Sequence, residues 1–240
     1  MAQTDRRVQA PPSRRPVVTV AIAAALGGFL FGYDTAVING AVDAVQGEFR
    51  LADAVIGLVV ASALLGCAVG AWFAGPIADR YGRVRVMILA AITFALSAIG
   101  SSLSVGPWDL TAWRVVGGLA VGAASVITPA YIAEISPAEI RGRLGSLQQL
   151  AIVTGIFTSL LVDYGIAAAA GGAAERVPWG GTAWRWMFAA MLLPAILYGL
   201  VALRIPESPR YLVRRDRIPT AREVLSRFVG GDTNRHIKEI

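Results

Sequence analysis

The sequence predicts an all-α polytopic membrane protein that crosses the bilayer six times. Three observations predict it. Hydrophobic residues make up 55% of the 240 residues and charged residues only 16%, where a soluble domain carries about a quarter. Six apolar runs lie near 17–42, 54–77, 86–105, 110–132, 144–165 and 186–203, each close to the ~20 residues a helix needs to span hydrocarbon. The basic residues also alternate in side. Of 22 Lys and Arg, 18 fall on the side of the N-terminus, while Arg50, Arg176 and Arg185 fall on the other and Arg114 lies inside the fourth run. The positive-inside rule then puts both termini in the cytoplasm.

Residues 1–16 are polar and basic, with Arg6, Arg7, Arg14 and Arg15 beside Pro11, Pro12 and Pro16. They read as a disordered cytoplasmic tail. The next run is too long for a signal peptide, and no small-residue cleavage site closes it. The six spans then occupy 17–205. The connections between spans two, three, four and five are short, so neighbouring helices are antiparallel. Gly66 with Gly70, and Gly118 with Gly122, have the four-residue spacing that lets helix backbones approach closely in lipid. Residues 206–240 form a cytoplasmic segment. Thr220 and Glu223 fit a capping box after Pro219, Val224, Leu225, Phe228 and Val229 give one apolar face, and Gly230–Gly231 end the helix. A second helix begins near Asp232 and reaches Ile240 in mid-pattern, so the chain is expected to be cut short.

Several function classes are excluded. The net charge of +6 is distributed by side of the membrane, so no nucleic-acid partner is expected. Cys67 is the lone cysteine and His236 the lone histidine, which supports no disulfide, metal site or cofactor. No phosphate loop and no nucleophile with base and orienting acid are present, so no enzyme activity is expected.

Two charges inside the spans point to function. Asp34 sits within span one, where a carboxylate costs about 2.5–3.5 kcal/mol on insertion scales. Arg114 follows Trp113 near the outer start of span four. Both fall roughly 6–13 Å below the outer surface at the helical rise per residue. Matched depth permits an Asp34–Arg114 pair; snorkelling of Arg114 beside Trp113 is the other arrangement. Gln148 and Gln149 place amides in span five, suited either to sugar hydroxyls or to interhelical bonds. The inner loops carry Asp79, Arg80, Arg83, Glu134, Glu139, Arg141, Arg143, Glu207 and Arg210. These form either an inter-helix network that holds the inner side shut or a solvated basic face.

The chain resembles the sugar porters of the major facilitator superfamily. FGYDTAVING (31–40) resembles the first-helix motif and GPIADRYGR (75–83) the loop between helices two and three. The stretch from Arg114 to Gly142 is similar to the fourth-helix signature, with Gly118, Gly122, Tyr131, Glu134 and Arg141 at the expected spacing. LQQLAIVTGI, WRWMF and PESPRYLV follow in the family's order. The resemblance spans nearly everything from Ala24 to Val213.

It implies the N-terminal six-helix half of the major facilitator fold, a 3+3 inverted repeat, in the plasma membrane. The implied function is alternating-access symport of a monosaccharide and a proton. Asp34 would take the proton and Arg114 modulate it. Phe31 and Gln149 would contact sugar, and Ile152 would line the cavity. Asp79, Arg80, Arg83, Glu134, Arg141, Glu207 and Arg210 would form the inner gate. The family's second six-helix half, which supplies most sugar contacts, would be the missing partner. Val84 stands where the loop motif often has a second adjacent basic residue, and Ile156 where some members have a second glutamine. Asp34 favours a symporter, since facilitative relatives usually have asparagine there. A facilitative or non-sugar transporter, or a membrane protein without transport, are the alternatives.

Overall fold

The computed structural model describes the backbone of residues 14–136 and 138–228, and side chains over 20–23, 25–136 and 142–226. Several expected features lie outside these residues: the tail before residue 14, the Gly230–Gly231 stop, the helix near Asp232, and the side chains of Glu139 and Arg141.

Among the described residues the chain is all-helical: α1 (Arg14–Phe49), α2 (Asp53–Tyr81), α3 (Arg83–Ser102), α4 (Pro107–Ile135), α5 (Ala138–Ala170), α6 (Ala183–Ala190), α7 (Leu192–Ala202), α8 (Pro209–Arg214) and α9 (Ile218–Phe228). Six segments are long and apolar enough to cross a membrane: Val20–Phe49, Asp53–Tyr81, Arg83–Ser102, Pro107–Ile135, Gly142–Ala170 and Ala183–Ala202. Leu64, Leu65 and Trp72 of α2, and Phe157, Leu160 and Leu161 of α5, are exposed. Such apolar surface needs lipid or protein to cover it, and the molecule is a multi-pass membrane protein.

The sixth span consists of α6 and α7 rather than one helix. The interruption at Met191 has a local cause: Pro194 has no N–H and its ring crowds the carbonyl four residues back, that of Ala190. α1 begins at Arg14, inside the stretch read as tail. α9 also starts earlier than its capping signal. Asp216 turns the chain with φ 57°, and the Ala221 N–H donates to the Arg217 carbonyl at 3.0 Å. Thr220 therefore lies in the first turn and is not the cap, while Pro219 fits that turn. Ala221, Val224 and Leu225 are buried, as the apolar face requires.

Glycines fix the packing. α2 and α4 run parallel, and a Cβ on Gly66 or Gly70 would strike the Val115 or Leu119 carbonyl. Reciprocally, a Cβ on Gly118 or Gly122 would strike the Ala63 or Cys67 carbonyl. α1 and α5 run parallel in the same way: Gly28 and Gly32 face the Gln148 and Ile152 carbonyls, and Gly155 faces the Phe29 carbonyl. Exchanging α1 with α4 and α2 with α5 converts one seam into the other. An odd number of crossings separates α1 from α4, so the two three-helix units are inverted.

Candidate functional site

The first site is built on α1 and α4; the end of the bundle that carries α8 is termed inner and the opposite end outer. Arg114 Nη1 donates to Asp34 Oδ1 at 2.7 Å, and the two side chains are 2% and 5% exposed. Arg114 Nη2 reaches the Asp34 carbonyl at 3.4 Å. The guanidinium also lies 5.7 Å from the ring centre of Phe188 on α6, within cation–π range. Burial at 2% excludes snorkelling to the outer interface. Gly117, one turn beyond Arg114, keeps α4 close: a Cβ there would meet Ser97 Oγ, with Asp34 Oδ1 at 4.0 Å.

The pair opens onto a cavity of about 90 Å³ lined by Phe31 and Thr35 of α1, Leu64 and Cys67 of α2, and Val121 of α4. Phe31 and Asp34 are three apart, hence on one face of α1. Gln149 and Ile152 lie outside this cavity. Gln149 is exposed on α5, and Ile152 packs on α1 beside Gly28 and Gly32.

The inner network joins α2, α3, α4 and the start of α8. Arg83 Nη2 bridges Asp79 Oδ1 at 2.8 Å and Glu134 Oε1 at 3.0 Å. Its Nη1 donates to the Ala78 carbonyl at 3.2 Å. Ser208 Oγ donates to Glu134 Oε2, and Tyr131 Oη donates to the Pro206 carbonyl at 2.8 Å. The expected members divide. Among the described residues Glu207 bonds no arginine side chain; its carboxylate accepts from the backbone N–H of Arg83, Val84 and Ser208. Arg80 contributes its carbonyl, which accepts from Tyr211 Oη and Arg215. Arg210 is exposed and makes no ion pair among the described residues, whereas Arg214 pairs with Asp79 at 3.2 Å.

Three features escaped the sequence reading. Arg185 ties the outer ends together: it pairs with Glu48 at 3.0 Å and donates to the Ser102 and Ser104 carbonyls. Ser208 lies inside PESPRYLV, but nothing there predicts its carboxylate partner. Asp163 of α5 is 3% exposed against Gly40, and neither of its oxygens has a hydrogen-bond partner among the described residues. Its place one apolar turn beyond Ser159 was the available signal.

The profile of the family described as "Sugar (and other) transporter" matches residues 20–240. The chain is 59% identical over 226 residues to the glucose transport protein of Synechocystis sp., covering 93% of this chain and 48% of that protein. It is 40% identical to the arabinose-proton symporter of Bacillus subtilis, covering 89% and 45%. The partially occluded inward-open xylose transporter from E. coli superposes with a TM-score of 0.85 at 33% identity, covering 93% of this chain and 58% of that one. The chain spans about half the length of the curated relatives it matches. Six crossing helices, two inverted three-helix units and this set of similarities together show that the chain belongs to the sugar (and other) transporter family of the major facilitator superfamily.

Proposed function

We propose that this chain is the first six-helix half of a proton-coupled monosaccharide transporter of the plasma membrane, with both termini cytoplasmic. One observation carries the reading: the buried Asp34–Arg114 ion pair opens onto a cavity beside Phe31. A charge this deep needs its partner. When Asp34 takes a proton, the carboxyl is neutral and Arg114 loses its counter-charge. Arg114 then keeps only the Asp34 carbonyl and the Phe188 ring, so protonation and the seating of α1 on α4 are linked. Phe31 supplies an apolar wall for the sugar ring. Gln149, exposed on α5, offers an amide donor and acceptor to sugar hydroxyls in a cavity completed by a second half, with Ile152 on the same helix. The Asp79–Arg83–Glu134–Ser208 network holds the start of α8 against the inner ends of α2 and α4 in one state and releases it in the other. The residues 17–205 act as the moving half, and 206–240 begin the cytoplasmic helices. Arg141, and Arg210 from its exposed position, join the inner gate through contacts to the second half.

The relatives support the substrates: one is named for glucose transport and another as an arabinose-proton symporter. The test joins this chain to the second half of the Synechocystis glucose transport protein and measures glucose accumulation in vesicles driven by a pH gradient. Accumulation is expected from the fusion and not from the 240-residue chain alone, because alternating access needs two halves around one site. Asp34→Asn, which cannot titrate, should abolish accumulation and keep glucose exchange. Normal gradient-driven accumulation in Asp34→Asn would remove Asp34 from coupling. Equilibration that ignores the pH gradient in the unaltered fusion would make the transporter facilitative.

A further inference from the structure

A second site lies away from the Asp34 cavity, at the end of the bundle that carries α8 and α9. A cavity of about 610 Å³ there is lined by Arg80, Arg85, Arg215 and Arg217 with Tyr81 and Tyr211. None of the four arginines makes an ion pair among the described residues. The one carboxylate in the lining, Glu207, is occupied by three backbone N–H groups. Four guanidinium groups against this one carboxylate leave the site net cationic. Two of its guanidinium groups lie within cation–π range of tyrosine rings, Arg80 at 5.5 Å from the Tyr81 centroid and Arg215 at 5.6 Å from that of Tyr211. Planar guanidinium groups suit phosphate, which they bind through paired hydrogen bonds.

A separate observation says what the phosphate is attached to. An apolar groove of about 260 Å³ runs between α2 and α3, floored by α4, with Phe73, Ile77, Leu89 and Thr93 in its walls. Ile77 is one turn from Tyr81 on α2, and Leu89 is one turn from Arg85 on α3. The groove lining thus begins about 6 Å along the helix axes from the arginine lining, on the same faces of the same two helices. Phe73 and Leu89 are 55% and 57% exposed. A cationic pocket at the end of a span, continued into the membrane by an apolar groove, matches a charged headgroup with its chain.

We propose that an anionic phospholipid of the leaflet facing α8 and α9 binds here, with its phosphate among Arg80, Arg85, Arg215 and Arg217 and one acyl chain along the α2–α3 groove. The lipid bridges the α2–α3 corner to α8, so its presence favours the arrangement in which the inner network is closed.

Native mass spectrometry of the 240-residue chain tests this, with phosphatidylglycerol, phosphatidylcholine or glycerol 3-phosphate added. One phosphatidylglycerol should be retained in preference to phosphatidylcholine. Arg85→Gln with Arg217→Gln should weaken that retention by roughly tenfold or more. Both side chains are exposed, so the fold should survive, and circular dichroism checks helix content. Thr93→Trp narrows the groove without touching an arginine and should also weaken retention. Equal retention of the two lipids, or no effect of the arginine pair, overturns the site. Competition by glycerol 3-phosphate as strong as by the lipid, with Thr93→Trp silent, identifies a soluble phosphate compound as the ligand and overturns the lipid assignment.

Discussion

Glu207 caps the helix that begins at Arg83: its carboxylate accepts the Arg83 N–H at 2.9 Å and the Val84 N–H at 3.3 Å. The residue comes from the chain entering α8, so the cap is supplied across the fold. A negative group at a helix N-terminus satisfies orphan N–H donors and meets the positive end of the helix dipole.

Glu207→Ala should therefore lower stability by about 1–2 kcal/mol. Glu207→Gln keeps an acceptor but not the charge and should recover part of the loss. Thermal unfolding in detergent reads both. An unchanged transition in Glu207→Ala would mean that the inner ends are held by Arg83 alone.

Arg114→Ala leaves the Asp34 carboxylate buried without its cation. Breaking a buried pair from one side costs about 3–5 kcal/mol. Removing both charges, as Asp34→Leu with Arg114→Leu, should cost less than the two single losses added. A double-mutant cycle on thermal unfolding measures the difference. Additive losses would show that the two side chains do not stabilise each other.

The glycine seams make opposite predictions at two positions. A Cβ at Gly118 meets the Ala63 carbonyl, so Gly118→Ala should destabilise by about 1–3 kcal/mol. Gly145 of α5 has nothing within 4 Å of the same atom, and Gly145→Ala should stabilise by about 0.4–1 kcal/mol. Parallel melting curves compare them. Equal effects at both positions would deny the close approach of α2 to α4.

Orientation is open to labelling. With Cys67 replaced by Ser, a cysteine at Glu175 should react with an impermeant reagent from outside, and one at Ser226 only after permeabilisation. Both positions are exposed. Ala44, at 4% exposure, is unsuitable as a label site. Reaction of the residue-226 cysteine in intact cells would reverse the topology.

Much of this was readable in the residues. Apolar length set the six crossings, and the cost of Asp34 in hydrocarbon required a partner that Arg114 at matched depth supplies. Gly66, Gly70, Gly118 and Gly122 announced a close seam by spacing alone. What stayed illegible depends on where a backbone group ends up. Glu207 reads as one more charge until the chain brings it to the first turn of α3, where it accepts amide hydrogens. Arg210 and Arg214 are indistinguishable in sequence, and only the direction of α8 sends Arg214 to Asp79. The Gly28, Gly32 and Gly155 contacts involve two helices far apart in sequence, so no local pattern separates them from ordinary glycines. Pro194 was visible, but its effect on the sixth span was not.

The two glycine seams also determine what kind of motion this body allows. Each notch receives a carbonyl of the facing helix, and the notches repeat every four residues along Gly66–Gly70 and Gly118–Gly122. They act as axial stops: sliding α2 along α4 by less than a full turn, about 5.4 Å, drives carbonyls into side chains. Shear within the bundle is blocked, while tilting all the helices together leaves every notch filled. The four seamed helices therefore behave as two stiff pairs, α2 with α4 and α1 with α5, and large displacements fall at their edges, where α2 and α5 turn exposed leucines and aromatics outward.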